Sequence, residues 1–189
     1  MQVLILGPLE LVDDDGAVIP LSGAKIRALT VLLALDAGRV VSTDRLIDRL
    51  YGDELPQRAA NALQLHVSRL RRTLRSSGCA GEHAIVTRPS GYLLDLPADA
   101  VDALRFHRLV AEGRACLEAG LPADASRLLH EGLALWRGEA LADFAYGDVA
   151  AAERDLPVPA APEEPVEHPA TATRARHAVT VGTILRTLV

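Results

Sequence analysis

The chain has 189 residues, 49% of them hydrophobic, and a formal net charge of −5, which allows one good core or two small domains. No stretch approaches the roughly 20 apolar residues that a membrane span requires, and no secretory leader is visible. The two cysteines, Cys79 and Cys116, have no partner at metal-ligand spacing, so we expect free thiols, no metal, and a cytoplasmic protein without membrane contact.

The acidic excess lies mainly in the second part of the chain. Residues 1–97 carry eleven basic and eleven acidic side chains, whereas residues 98–155 carry six basic and eleven acidic ones. Between Arg58 and Arg88 the only acid is Glu82. The net charge therefore does not exclude a nucleic-acid partner for the first part, because the local distribution matters more than the sum.

The N-terminal residues are typical of a small antiparallel sheet. Residues 3–12 are rich in strand-forming side chains, and Asp13–Gly16 is a strong turn signal before a second apolar stretch at residues 17–21. The three acids of that turn could suggest a metal site, but adjacent acids before a glycine are more often a solvated turn. We therefore expect a turn without a bound metal.

Three helices are predicted next. The first begins at Ser22 and ends at Gly38, and the second begins at the N-cap Ser42 and ends at Gly52. The loop between the second and third helices covers residues 53–57. The third helix, from about Arg58 to Arg75, has one apolar face at helical spacing and a remaining surface that is basic and hydrogen-bonding. Its apolar residues are Leu63, Val67, Leu70 and Leu74.

Residues 84–96 predict a β-hairpin with a turn at Pro89–Gly91. The order of a small sheet, three helices and a hairpin predicts an α+β winged helix-turn-helix domain over residues 1–97. The hairpin is the candidate wing.

Residues 98–155 predict an all-α segment. Asp102 is the expected N-cap of a helix that ends at Gly120, a second helix ends at Gly138, and a third begins near Asp148. Helix pairs of this kind form tetratricopeptide-like arrays. Residues 156–189 begin with a Pro-rich run that favours a disordered tail, although the apolar residues of 179–189 leave a short helix open.

Several segments resemble a known family of regulators. The residues are Leu6–Leu9, Lys25–Leu29, Val40–Leu50, the run NALQLHVSRLRRTL from Asn61 to Leu74, and Thr87–Tyr92. They are similar to the OmpR/PhoB-type winged helix found in actinomycete antibiotic regulatory proteins. Residues 106–113 and 133–138 resemble the bacterial transcriptional activation domain joined to it. The Pro-rich tail departs from that pattern, so we expect the activation domain to be truncated.

The resemblance implies roles for particular residues on double-stranded DNA. The third helix would lie in the major groove, with Arg69 on a guanine and Leu65 against a thymine methyl group. Further base-contact candidates are Asn61, Gln64, His66 and Ser68. Phosphate contacts would come from Arg58, Arg71, Arg72 and Arg75, and Arg88 of the wing would approach the minor groove.

The resemblance also implies partners and an output. The loop Asp53, Glu54, Leu55, Pro56 and Gln57 corresponds to the surface that contacts RNA polymerase in such proteins. Members often bind direct repeats in promoter DNA as tandem dimers, and the implied function is activation of a secondary-metabolite (antibiotic) gene cluster.

Two other functions remain open from the sequence. The chain could be a truncated DNA-binding competitor of longer relatives, or a protein-interaction fragment whose contact with DNA is weak. No phosphate-binding loop and no nucleophile motif occurs, so we expect neither enzymatic activity nor a cofactor. The histidines at positions 83, 107 and 130 lack metal-ligand company and are more typical of ordinary surface residues.

Overall fold

The computed structural model describes residues 1–76, 84–142 and 144. It begins with three short antiparallel strands: β1 (Gln2–Leu4), β2 (Glu10–Val12) and β3 (Val18–Ile19), in the order β1-β2-β3. The main-chain N–H groups of Asp15 and Ala17 donate to the Asp13 carboxylate, which closes the turn between β2 and β3. The predicted N-terminal sheet is confirmed, and this Asp is part of a turn.

Three helices follow: α1 (Ala24–Leu35), α2 (Thr43–Tyr51) and α3 (Ala59–Ser76). The Ser42 hydroxyl accepts from the N–H of Arg45, as expected of an N-cap. Helix α1 starts two residues later than predicted, after Gly23, and has no side-chain cap. It is buried along most of its length, so tertiary packing stabilises it despite the weak start.

A second sheet contains the wing. Strands β5 (Ile85–Arg88) and β6 (Gly91–Leu94) form the predicted hairpin, and β4 (Val40–Ser42) pairs with β6 on the other side. No strand was predicted from the sequence at residues 40–42, so β4 is a strand that the sequence pattern did not reveal. The sheet order β4-β6-β5 makes β5 an edge strand.

Gly91 is required where strand β4 pairs with strand β6 of the wing. It pairs with Ser42, and a Cβ atom built on Gly91 would lie 1.9 Å from the carbonyl oxygen of Val41. That neighbour is backbone and does not rotate away. Any side chain at position 91 therefore pushes the strands apart.

A Gly91→Ala substitution is expected to lower the free energy of unfolding by about 1–3 kcal/mol, because the added methyl group overpacks a main-chain contact. Urea unfolding of the whole chain measures this. Gly138→Ala is the matched control, since a Cβ atom there meets nothing within 4 Å among the described residues. Equal stability of the two variants would contradict the requirement for glycine at position 91.

The second part of the chain is a helical hairpin of α4 (Asp102–Glu118) and α5 (Pro122–Ala134), preceded by a 3₁₀ turn at Ala98–Ala100. Gly113 and Gly132 allow the two helices to approach, with Gly113 against Leu129 and Gly132 against Phe106. The α+β winged helix followed by a helical region is thus confirmed. The predicted third helix near Asp148, the tail of residues 156–189 and Cys79 lie outside the described residues.

The helical hairpin is attached directly to the N-terminal sheet. Asp102, only 4% exposed, accepts the N–H groups of Ile5 and Leu6 at 2.8–2.9 Å. Val101 forms a bridge with Val3. The predicted N-cap role of Asp102 is therefore wrong: it lies inside α4, and apart from the adjacent N–H of Ala103 its carboxylate serves another element.

The chain after α5 adds a second attachment. The Arg137 guanidinium lies 3.0 Å from the Glu10 carboxylate and donates to the carbonyl of Pro8, and its main-chain N–H donates to Leu6. The N–H of Leu141 reaches the carbonyls of Ile5 and Gly7. Residues 5–9, between β1 and β2, and the first residue of β2 are thus held from two sides by the helical part.

Asp102→Asn is expected to lower the free energy of unfolding by about 1–3 kcal/mol at pH 7. An amide has one acceptor oxygen, so at least one buried N–H group loses its partner. The exposed Asp95→Asn variant is the control, and urea unfolding is the measurement. A variant as stable as the control would show that the carboxylate does not hold the junction.

A comparison of wild type with Asp102→Asn also gives a pH prediction. Burial raises the pKa of Asp102, against the opposing effect of its N–H donors and Arg137. The folded state therefore binds the Asp102 proton more tightly than the unfolded state does. Protonation of Asp102, as the pH falls through its folded pKa, accordingly stabilises the folded state. The stability difference between wild type and Asp102→Asn should widen on acidification towards 3.8, the ordinary Asp value. A difference that shrinks would contradict this.

Candidate nucleic-acid interface

Helix α3 has two opposite faces. Leu63, Val67, Leu70 and Leu74 are at most 2% exposed and pack into the core. The opposite face is fully polar except for Leu65, which is 49% exposed. The exposed residues of this face are Asn61, Gln64, Leu65, Ser68, Arg69, Arg72 and Arg75. The apolar stripe alone fixes which way these side chains point.

This face is positively charged. Helix α3 contains no acidic residue, and Arg58 is exposed just before its first turn. Within the part of the chain that the structure describes, no carboxylate forms an ion pair with Arg58, Arg69, Arg72 or Arg75. Their guanidinium groups remain open to an anion in solution, and the planar fork of Arg suits phosphate and guanine.

His66 lies at one border of this face and is half-buried beside Tyr51, with ring centroids 6.4 Å apart. Its Nδ1 atom is buried without a hydrogen-bond partner among the described residues. Burial lowers the pKa of His66, and the charges of Arg69 and Lys25 lower it further. The imidazole is thus neutral near pH 7, which disfavours a charged contact with phosphate.

Arg71 lies at the other border of the face, and its side chain points to the wing. The guanidinium Nε and Nη2 atoms donate to the carbonyl of Ile85 at 3.1 and 2.8 Å, and Nη2 also donates to the Thr87 hydroxyl at 2.8 Å. The family resemblance implied a phosphate contact for Arg71, and that role stays a prediction. In the structure the Arg71 guanidinium is hydrogen-bonded to strand β5 of the wing.

Arg88 of the wing comes one residue after the contact between the hairpin and helix α3. Arg88 is the last residue of β5, one position after Thr87, and its side chain is exposed, as are Pro89 and Ser90 of the turn. The hydrogen bonds of Arg71 therefore connect the helix to the residue that precedes Arg88.

The loop between α2 and α3 is also exposed to solvent. Asp53, Glu54, Leu55 and Gln57 are exposed, and Pro56 is half-buried. Leu55 is 62% exposed, the highest value among the large apolar side chains of the described residues. The N–H of Glu54 donates to the carbonyl of Tyr51, so the loop leaves α2 through a tight turn. The loop presents an apolar residue between two acids and an amide.

No cluster of three or more His, Cys, Asp or Glu side chains that could hold a metal ion occurs in the described ranges. None of the helices there is long and apolar enough to cross a bilayer. Cys116 is a half-buried free thiol.

Two sequence-family models match the chain. Residues 16–94 match the family "Transcriptional regulatory protein, C terminal", and residues 101–161 match "Bacterial transcriptional activator domain". Both models together account for most of the chain. The boundary between them falls close to residue 97, where the sequence analysis placed the end of its first domain.

The chain is similar to the transcriptional regulator RedD of Streptomyces coelicolor (40% identity, covering 78% of this chain and 42% of RedD). It is also similar to the regulatory protein DnrI of Streptomyces peucetius (36% identity, 78% and 56%). The chain spans about half the length of these curated relatives.

A solved structure of Mycobacterium tuberculosis EmbR in complex with a low affinity phosphopeptide matches with a TM-score of 0.68 at 32% identity. The match covers 75% of this chain and 37% of the EmbR chain. The resemblance found in the sequence is thereby confirmed. This chain belongs to the actinomycete antibiotic regulatory family, in which an OmpR/PhoB-type winged helix is joined to a bacterial transcriptional activator domain.

Proposed function

We propose that the chain is a sequence-specific regulator of transcription that binds double-stranded promoter DNA through helix α3 and the β5–β6 wing. The observation that carries this proposal is the exposed face of α3, where Arg69 and Arg72 stand on a helix without acids. The wing adds the exposed Arg88, whose neighbour Thr87 is hydrogen-bonded to Arg71 of α3. An α-helix fits the major groove, and its arginines can contact both bases and phosphates.

The roles on DNA divide by position along the helix face. Arg69 contacts a guanine edge, and Leu65 contacts a thymine methyl group, with Asn61, Gln64 and Ser68 as neighbouring polar groups. Arg58, Arg72 and Arg75 contact phosphates, which gives affinity without sequence preference. Arg88 reaches the adjacent minor groove. Binding of two copies to direct repeats would place two such faces on one side of the duplex.

Arg69→Ala is expected to reduce the discrimination between the preferred site and a site with a substituted guanine by about 1–3 kcal/mol. Footprinting on promoters of neighbouring genes first locates the site, and titration of the whole chain then measures both affinities. A variant that keeps full discrimination would show that Arg69 does not read a base.

Arg72→Ala is the matched control one turn along the same face. A phosphate ligand should weaken binding to all sequences alike and should reduce the slope of log K against log salt concentration by about 0.9. A wild-type chain that gives no protection on any promoter, with affinity independent of salt, would instead favour a protein-interaction fragment.

The output of the regulator depends on a second surface. We propose that residues 53–57 contact RNA polymerase once α3 is seated on the promoter. An exposed leucine flanked by polar side chains is a common composition for the centre of a small protein contact. The target promoter class, suggested by the similarity to RedD and DnrI, is that of a secondary-metabolite gene cluster.

Replacing Leu55 and Glu54 together by Ala should leave the promoter affinity unchanged and should lower transcription from a reporter carrying that promoter. The loop lies outside the DNA-binding face, so only the polymerase contact is removed. Val18→Ala, at a comparably exposed position on β3, is the control. If both proteins activate equally, the loop is not the polymerase contact.

A second candidate function is occupation of promoter DNA without activation. The described part of the activator domain is a single helix pair, and three of its leucines, Leu117, Leu121 and Leu133, are 42–54% exposed. A helical array normally buries such residues against the next pair. A chain that binds the promoter, fails to raise reporter output and lowers the output of a co-expressed longer relative would be a competitor.

A further inference from the structure

We propose that Arg71 is a positioning residue that sets the angle of the wing relative to helix α3, so that Arg88 and the helix face engage the same duplex. The inference rests on the proposed DNA-binding function. It assigns Arg71 a different role from the neighbouring arginines, although all of them lie on one basic helix.

The geometry of the contact supports this role. Strand β5 is at the edge of its sheet, so a β5 carbonyl that faces away from β6 has no hydrogen-bond donor within the sheet. Ile85 is only 4% exposed, and a buried carbonyl needs such a donor. Arg71 supplies two N–H donors to that carbonyl and a further hydrogen bond to the Thr87 hydroxyl. The planar fork of Arg makes this arrangement, whereas the point charge of Lys would reach one acceptor at a time.

The consequence for DNA binding follows from the connection. The base of the wing also packs against α3, because Ile85 and Leu94 line a small cavity together with Leu70 and Leu74. Nearer the tip, Arg88 is adjacent to Thr87, the residue that Arg71 holds. A wing already fixed in place loses little conformational freedom when DNA binds, so its contact adds fully to that of the helix. Without Arg71, the wing contact is weakened although Arg88 itself is unchanged.

Affinity for the footprinted promoter site distinguishes this role from phosphate contact. Arg71→Gln should weaken binding about tenfold in the wild-type background and should have little effect in an Arg88→Ala background, where the wing contact is already lost. A phosphate ligand would act equally in both backgrounds and would still reduce the salt slope by about 0.9 in the second one. Additive effects of that kind would overturn the proposal.

Two further variants sharpen the comparison. Thr87→Val removes only the hydroxyl acceptor, so Arg71→Gln should cost less in that background. Arg71→Lys should not restore the affinity lost in Arg71→Gln, whereas a Lys would largely replace Arg on a phosphate. Arg75→Gln, one turn further along α3, is the matched control and should be additive with both wing variants. Restoration by Lys would contradict the positioning role.

A measurement without DNA separates this proposal from the proposed function. Backbone ¹⁵N relaxation of residues 87–90 in the whole chain should show lower order parameters in Arg71→Gln and Thr87→Val than in wild type or Arg75→Gln. Unchanged order parameters would overturn the positioning role even if the chain binds DNA. Loss of order in a chain that protects no promoter would overturn only the DNA-binding function.

Discussion

The two-sided character of helix α3 is the constraint on which the rest of the molecule depends. Four residues at helical spacing, from Leu63 to Leu74, are buried almost completely and fix the rotation of the helix about its axis. Burying each such side chain contributes about 1.5–3 kcal/mol, far more than any exposed arginine contributes to folding. The apolar face therefore determines the orientation, and the basic face is free to be used for binding.

The wing and the helical hairpin are attached to this core by the same physical means. In each case a charged side chain from a helix satisfies backbone groups that short strands leave open. Arg71 donates to a carbonyl of edge strand β5, and Asp102 accepts two N–H groups just after β1. Because the partners are buried or half-buried main-chain groups, the removal of either side chain leaves unsatisfied polar atoms.

The sequence predicted what depends on local periodicity and turn chemistry. The buried face of α3, the N-cap Ser42 and the hairpin around Pro89 are encoded within a few residues of one another, and all were found in the expected places. Strand β4 was missed because three residues carry too little pattern, and its identity as a strand depends on β6, some 50 positions away. The roles of Arg71 and Asp102 also depend on other elements, with partners 14–16 and 96–97 positions away, respectively.

His66 and Arg71 show why the candidate site could be predicted only in part. Both belong to the segment that resembles the family's DNA-binding helix, and the resemblance groups them with Arg69 and Arg72 as DNA-contact candidates. Their positions at the two borders of the exposed face bring them against Tyr51 and the wing, respectively. The helix period places a residue on a border, but only the neighbouring elements decide whether it faces DNA or protein. Among the residues that the structure describes, Arg69 and Arg72 at the centre of the face are exposed and have no such neighbours, so there the sequence and the structure agree on which side chains are presented to solvent.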